Sequence, residues 1–152
     1  MSADLLATAR RLARASPSRP RQSDLKRAVS TACYALFHGL AKDAADVLVG
    51  VGNDRPDAAW AQAYRALDHG AAKTACGQVH NLRFPPGIRS VADTFVILQQ
   101  SRHDADYAPN HRLTRGEALA AIELAEQALN DLRQAARRDR KALAILLLLR
   151  RR

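Results

Sequence analysis

The chain is short of aromatic residues, glycine and cysteine, and each shortage argues against a class of protein. Aromatic residues make up 5% of the composition, and no stretch alternates β-branched and polar residues as a half-buried strand would. The two cysteines, Cys33 and Cys76, lie in alanine-rich stretches without metal-ligand spacing. This pattern predicts buried free thiols in the cytoplasm and not a disulfide scaffold.

Motifs for common cofactors and metals are also missing from the sequence. There is no glycine-rich phosphate loop and no GxSxG elbow. The five histidines form neither an HExxH nor an HxH pattern; they are His38, His69, His80, His103 and His111. The sequence therefore predicts no metal site and no cofactor.

What remains is a chain suited to helices. It has 152 residues, of which 47% are hydrophobic, mainly alanine and leucine, and this length is enough for one domain with its own core. Short connections between long helical stretches favour an all-α fold, an antiparallel up-and-down bundle of about five helices. We divide the chain into a short N-terminal helix and linker (1–22), the bundle (23–136) and a basic, apolar tail (137–152).

Helix boundaries follow from capping residues and prolines. Ser23 is a good N-cap for the second helix, and Thr114 with Glu117 forms a T-x-x-E capping box for the fifth. Gly77 is a candidate C-cap for the third helix, and residues 78–89 are predicted to form a loop. The predicted helices span residues 3–15, 23–49, 57–75, 91–107 and 114–136.

The stretch from Val91 to Tyr107 is the most informative. Its apolar line of Val91, Phe95 and Leu98 continues at helical spacing into Arg102 and Asp106, with Tyr107 adjacent. An arginine on a core-facing line is costly unless it is paired, and Asp106 is one turn away. The sequence allows two interpretations: a structural Arg–Asp pair at a helix end, or a polar site at the mouth of a bundle.

The second helix carries a polar line opposite its apolar face. The line consists of Arg27, Ser30, Tyr34 and His38. Tyr34 and His38 are either core residues with satisfied hydrogen bonds, or they face the polar group at Arg102 or a partner subunit. Gly39 inside this helix indicates a close helix crossing. On the third helix, a line of charged positions is expected to be solvated; it comprises Arg65, His69 and Lys73.

Positive charge is concentrated at the two ends of the chain. The net charge is +9; residues 1–27 hold seven basic and two acidic residues, and residues 133–152 hold eight and one. The tail also contains an apolar run, Ala142–Leu149, which is too short to cross a bilayer. It could extend the fifth helix into a partner subunit, lie on an anionic membrane, or follow the end of the domain. Membrane contact is the less favoured alternative.

Three segments together resemble a known family. RAVSTACYALFHGLA in the second helix is similar to the R-A-x-S-x-A-Y-Y-A-x-F-H segment of bacterial HEPN-domain proteins. YRALDHGAAKTAC and LQQSRHDADYAP resemble the Y-R-x-x-x-H and R-x-x-A-D-Y segments of small stand-alone members. The resemblance covers residues 23–132, with Cys33 where the family often has a tyrosine.

The resemblance implies a helical bundle that often forms a homodimer, and many members are metal-independent ribonucleases or toxins with an R-x4–6-H motif. Some pair with a nucleotidyltransferase antitoxin. Arginine can stabilise charge on a phosphorane, and histidine can transfer protons near neutral pH. This chain departs from the motif: His103 is adjacent to Arg102, and Tyr107 stands where the motif places histidine. A tyrosine hydroxyl ordinarily titrates near pH 10.

Three functional interpretations remain open. The first is a HEPN-like protein that binds or cuts RNA as a toxin or defence ribonuclease, with catalytic candidates Arg102, His103 and Tyr107. Its binding candidates are Arg27, Ser30, Tyr34, His38 and Asp106. The second is a non-catalytic module for dimerisation, or for binding a partner protein or nucleotide. The third is a membrane or nucleic-acid binder driven by the basic ends.

Overall fold

The fold was analysed in a computed structural model that describes residues 1–149. These residues form seven α-helices and one 3₁₀ turn, and no strand occurs among them. The all-α prediction is therefore confirmed, whereas the predicted number of about five helices is too low. The helices are α1 (Ser2–Arg14), α2 (Gln22–Val49), α3 (Asp57–Ala66), α4 (His69–Gln78), α5 (Pro86–Tyr107), α6 (Arg115–Gln134) and α7 (Arg137–Leu148).

Helix α2 is the centre of the molecule: it packs on α1, α3, α5, α6 and α7, and its Phe37 stacks on His69 of α4. The apolar face expected from the sequence is buried as predicted; it comprises Leu25, Val29, Ala32, Leu36 and Leu40. Gly39 lies where α6 crosses, and a Cβ there would come within 2.1 Å of Leu129 Cδ2. The close crossing indicated by this glycine is therefore confirmed.

The predicted third helix is broken into α3 and α4. Leu67 and Asp68 take extended backbone conformations, and the Asp68 carboxylate accepts a hydrogen bond of 2.8 Å from the Ala71 backbone N–H. Aspartate is a strong N-cap because its side chain satisfies a backbone donor that the first turn leaves free. Leu67 is buried by this bend. The chain turns there, and His69 becomes the first residue of α4.

Helix ends elsewhere differ from expectation by a few residues. The capping box of Thr114 and Glu117 is present, as predicted. Helix α5 begins at Pro86, since proline fits a first helical position, so the predicted loop 78–89 is partly helical. Gly77 lies inside α4, which continues to Gln78, and is not its C-cap.

The two terminal helices share the core of the others. On α1, Leu6, Ala9 and Ala13 are buried. On α7, Leu143 and Leu147 are buried, although Ile145 remains exposed. Helix α6 ends at Gln134, so α7 is a separate helix that folds back on α2 and not an extension of α6.

Helix α7 is also fixed to α2 by an ion pair. Arg140 Nε donates to Asp43 Oδ1 at 2.7 Å, and the guanidinium makes a second contact with the same oxygen. No helix in the described part of the chain is long and apolar enough to cross a membrane. The last three arginines of the predicted tail lie outside the described residues.

Candidate functional site around Arg102

The apolar line of α5 ends in a paired arginine. Val91, Phe95 and Leu98 are fully buried, and the Arg102 side chain, one turn further on, is only 16% exposed. Arg102 Nε lies 3.4 Å from Asp106 Oδ2, so the predicted pair is present. At this length the ion pair is loose, which leaves guanidinium N–H groups for other partners.

Three helices meet at this arginine. Its guanidinium carbon lies 5.1 Å from the centroid of the Tyr34 ring on α2, and its Nη1 lies 3.2 Å from His69 Nδ1 on α4. Asp106 also accepts a hydrogen bond of 2.6 Å from the Ser30 hydroxyl of α2. We call this group the arginine cluster; its members are Ser30, Tyr34, His69, Arg102 and Asp106.

His69 is held against the surface of α2 and α5. Its ring stacks on Phe37 with centroids 3.9 Å apart, and its Nδ1 lies 3.2 Å from Gln99 Oε1. Arginine only donates, so Nδ1 either accepts from Arg102 or carries a proton that it donates to Gln99. When Nδ1–H donates a hydrogen bond to Gln99, Nε2 has a free lone pair and can act as a base.

Burial keeps His69 neutral. Desolvation lowers the pKa of His69 below the usual value, the Gln99 hydrogen bond opposes this, and the Arg102 guanidinium adds to the lowering. At neutral pH the imidazole beside Arg102 is therefore uncharged. A neutral imidazole has the free lone pair that a general base requires, and the nearby guanidinium makes that base weaker.

A second neutral histidine lies nearby. His38 Nδ1 is 2.6 Å from the Tyr64 hydroxyl of α3, and its ring contacts Phe37, as that of His69 does. Burial lowers the pKa of His38, and the N-terminal ammonium lowers it further. Burial also raises the pKa of Tyr64. The two groups therefore meet as a neutral imidazole and a neutral phenol.

Cys33 lies beneath the cluster but is not set up as a nucleophile. It is fully buried, and its Sγ lies 3.6 Å from Gln99 Oε1. Burial raises its pKa to about 11, although Arg102 opposes that rise. The thiolate, which is the reactive form, is therefore scarce at neutral pH. Both cysteines are free and buried, as the sequence indicated.

The other candidates from the sequence lie outside the arginine cluster. His103 and Tyr107 are exposed and contact each other, with ring centroids 5.0 Å apart. They lie one position further along α5 than Arg102 and Asp106, which places them on a different side of the helix. Arg27 is exposed on α2, one turn before Ser30.

Sequence reasoning missed His69 and Gln99. His69 was expected to be solvated with Arg65 and Lys73, and that prediction was wrong because the break at Asp68 turns the residue inward. The signal for the break was present, since Asp68 is a strong N-cap residue within the predicted helix. Gln99 stands one turn before Arg102 on α5, a spacing that also could have identified it.

Comparisons with known protein families, curated proteins and solved structures gave no match for this chain. Among residues 1–149, no group of three or more histidine, cysteine or acidic side chains is arranged to hold a metal ion.

Proposed function

We propose that this protein is a HEPN-like antiparallel helical bundle of the cytoplasm that cleaves RNA without a metal ion. The observation that carries the proposal is the 3.2 Å approach of Arg102 Nη1 to His69 Nδ1. The resemblance to HEPN proteins implies an arginine and a histidine acting together. A histidine from α4 provides that partner in place of His103, which the sequence had suggested.

The proposed reaction uses the 2′-hydroxyl of the RNA as the nucleophile. His69 takes the proton of the 2′-hydroxyl while the new O2′–P bond forms. Arg102 stabilises the negative charge that builds up on the phosphorane oxygens. The P–O5′ bond then breaks, and the leaving oxygen takes a proton from protonated His38. The products are a 2′,3′-cyclic phosphate and a free 5′-hydroxyl.

The pKa directions make this reaction favour mildly acidic solution. Activity requires neutral His69 and protonated His38, and the population with both forms is largest between their two pKa values. Both values lie below the usual 6.5 for histidine. We therefore expect a bell-shaped pH profile whose maximum lies on the acidic side of neutrality and whose rate falls towards pH 8.

The test is incubation of the purified protein with total RNA and with tRNA in EDTA. We expect cleavage by the wild type and a loss of at least about 100-fold in Arg102→Ala and in His69→Asn. The matched control is His80→Asn, because His80 pairs with Asp93 at 2.6 Å, more than two helical turns from Arg102 along α5. Analysis of the product ends checks for the cyclic phosphate.

Retained activity in both Arg102→Ala and His69→Asn, with wild-type folding, would refute the proposed site. Variants of His103 and Tyr107 belong in the same series, since the sequence offered both as catalytic. Growth arrest on expression, relieved by Arg102→Ala, would support a toxin role. A homodimer and a nucleotidyltransferase antitoxin, which the HEPN resemblance implies as partners, are then checked by light scattering and by co-expression.

A second candidate function is a non-catalytic HEPN-like binding module. The observation that favours it is that Arg102 already contacts Asp106, His69 and Tyr34, as a purely structural arginine would. In that case neither wild type nor variant cuts RNA, and Arg102→Ala lowers the melting temperature. Catalysis predicts instead that Arg102→Lys stays folded and loses most of its activity, since lysine lacks the planar fork of donors.

A further inference from the structure

A row of aromatic rings runs away from the arginine cluster across α2 and α3. Four rings follow one another: Tyr34, His38, Tyr64 and Trp60. Their successive centroids lie 6.3, 6.0 and 5.2 Å apart, and neighbouring planes are inclined by only 28°, 16° and 22°. Tyr34 is exposed, and the other three rings are half-buried. The row is therefore a nearly parallel stack that reaches the surface along its length.

An arginine stands at each end of this aromatic row. Arg102 lies over Tyr34, as described above, and the guanidinium carbon of Arg55 lies 4.3 Å from the centre of the Trp60 ring. Flat aromatic faces combined with arginines are the means by which proteins hold single-stranded nucleic acid. The chain contains a single tryptophan and few other aromatic residues, and this row includes the tryptophan and two of the three tyrosines.

We infer that the end of the row at Arg55 and Trp60 is a second RNA subsite, which takes an unpaired base several nucleotides from the cleaved bond. This inference rests on the proposed RNA cleavage, because the arginine cluster fixes where the reacting phosphate lies. The unpaired base stacks on the outer face of Trp60. Arg55 moves off that face and binds the neighbouring phosphate.

The contacts of Arg55 allow this exchange. It belongs to the segment between α2 and α3, and its side-chain partner is Asp57, at 3.2 Å, whose own side chain is 87% exposed. Exposed ion pairs of this kind contribute little to stability. A guanidinium and a nucleobase are both planar, and both stack on an indole. A base can therefore take the place of the arginine on Trp60 without any movement of the indole ring.

Trp60 is held in place for this role. Its indole N–H donates to Asp46 Oδ1 at 2.8 Å, and its inner face rests on Tyr64. A rigid ring loses little conformational entropy when a ligand binds. A base inside a duplex already has both faces covered by its neighbours, so this subsite selects unpaired RNA.

The experiment uses the intrinsic fluorescence of Trp60, since no other tryptophan contributes to the signal. The probe is a 2′-O-methyl RNA of about 12 nucleotides, a length within the range of known single-strand sites. It has no free 2′-hydroxyl and cannot be cleaved by the proposed reaction. We expect the single strand to quench the tryptophan fluorescence and the duplex of the same sequence to leave it nearly unchanged.

The subsite is then located by comparing the affinities of wild type and variants for a labelled copy of the probe, measured by fluorescence anisotropy. Trp60→Ala should weaken binding about 10-fold, whereas Trp60→Phe should retain most of it. In a plot of the logarithm of the binding constant against the logarithm of the salt concentration, Arg55→Ala should reduce the steepness of the slope by about 1, which corresponds to the loss of one phosphate contact. Arg138→Ala is the control, because Arg138 is an exposed arginine on α7. Arg55 lies outside the helices, so this variant remains informative if Trp60→Ala fails to fold.

The results separate this inference from the proposed catalysis. Quenching by the single strand with no cleavage of ordinary RNA would support the subsite and refute the nuclease. Cleavage with equal KM in wild type, Trp60→Ala and Arg55→Ala would overturn the subsite and leave the nuclease intact. Equal quenching by single strand and duplex would also overturn it.

Discussion

The ion pair between α2 and α7 gives the sharpest test of how the last helix is held. Arg140 Nε donates to Asp43 at 2.7 Å, and their side chains are 24% and 11% exposed. Replacing Arg140 by alanine leaves the Asp43 carboxylate nearly buried without its cation. Breaking a buried pair costs about 3–5 kcal/mol, and the partial exposure here reduces this to about 2–3 kcal/mol. The melting temperature should fall by roughly 5–10 °C.

This loss should depend on pH in a defined direction. Burial raises the pKa of Asp43 above its usual value of 3.8, and Arg140 opposes that rise. Without Arg140 the pKa of the folded state rises further, so the folded protein holds its proton more tightly than the unfolded chain. The penalty is therefore complete at neutral pH and shrinks as pH falls through the raised pKa and Asp43 becomes protonated.

Urea unfolding of Arg140→Ala and wild type between pH 4 and 8 measures this effect. Lys42→Ala is the matched control, because Lys42 is 65% exposed and its partner Asp46 keeps the hydrogen bond from the Trp60 indole, so the loss should be less than about 1 kcal/mol. The double variant Asp43→Asn, Arg140→Met should recover most of the stability. A variant Arg140→Ala as stable as wild type at pH 7, or one whose penalty grows towards pH 4, would refute this account.

Three further predictions concern the fold and the cysteines. Gly39→Ala should destabilise the protein by about 1–3 kcal/mol in urea unfolding, since the added Cβ would overlap Leu129. Gly77→Ala is the control and should be neutral or slightly stabilising, because a Cβ added there would have no neighbouring atom within 4 Å. Thr114→Ala should cost about 1 kcal/mol by the same assay because it removes the cap of α6, and no loss would contradict the capping box. The Cys33 thiol, with its pKa raised to about 11, should react with a thiol reagent only after unfolding; fast reaction in the native protein would contradict its burial.

Sequence periodicity was a good guide to the helices and to their buried faces. The lines on α2 and α5 are buried as predicted, because a helix must cover its apolar face and i, i+3, i+4 spacing reveals that face. The pair of Arg102 with Asp106 also followed from spacing within one helix. Local signals were less reliable where a helix could either continue or stop. The break at Leu67–Asp68 was missed because the alanine-rich residues around it have high helix propensity.

The sequence by itself determined the all-α class, the apolar faces and the position of Arg102 at the end of one of them. These features depend on residues within a few turns of each other on the same helix. Only the tertiary structure decided that His69 meets Arg102 and that His38 of α2 stacks on Tyr64 of α3, the contact that joins the two halves of the aromatic row. Such contacts join residues far apart in the chain, and the bends between helices set them. No local periodicity contains that information.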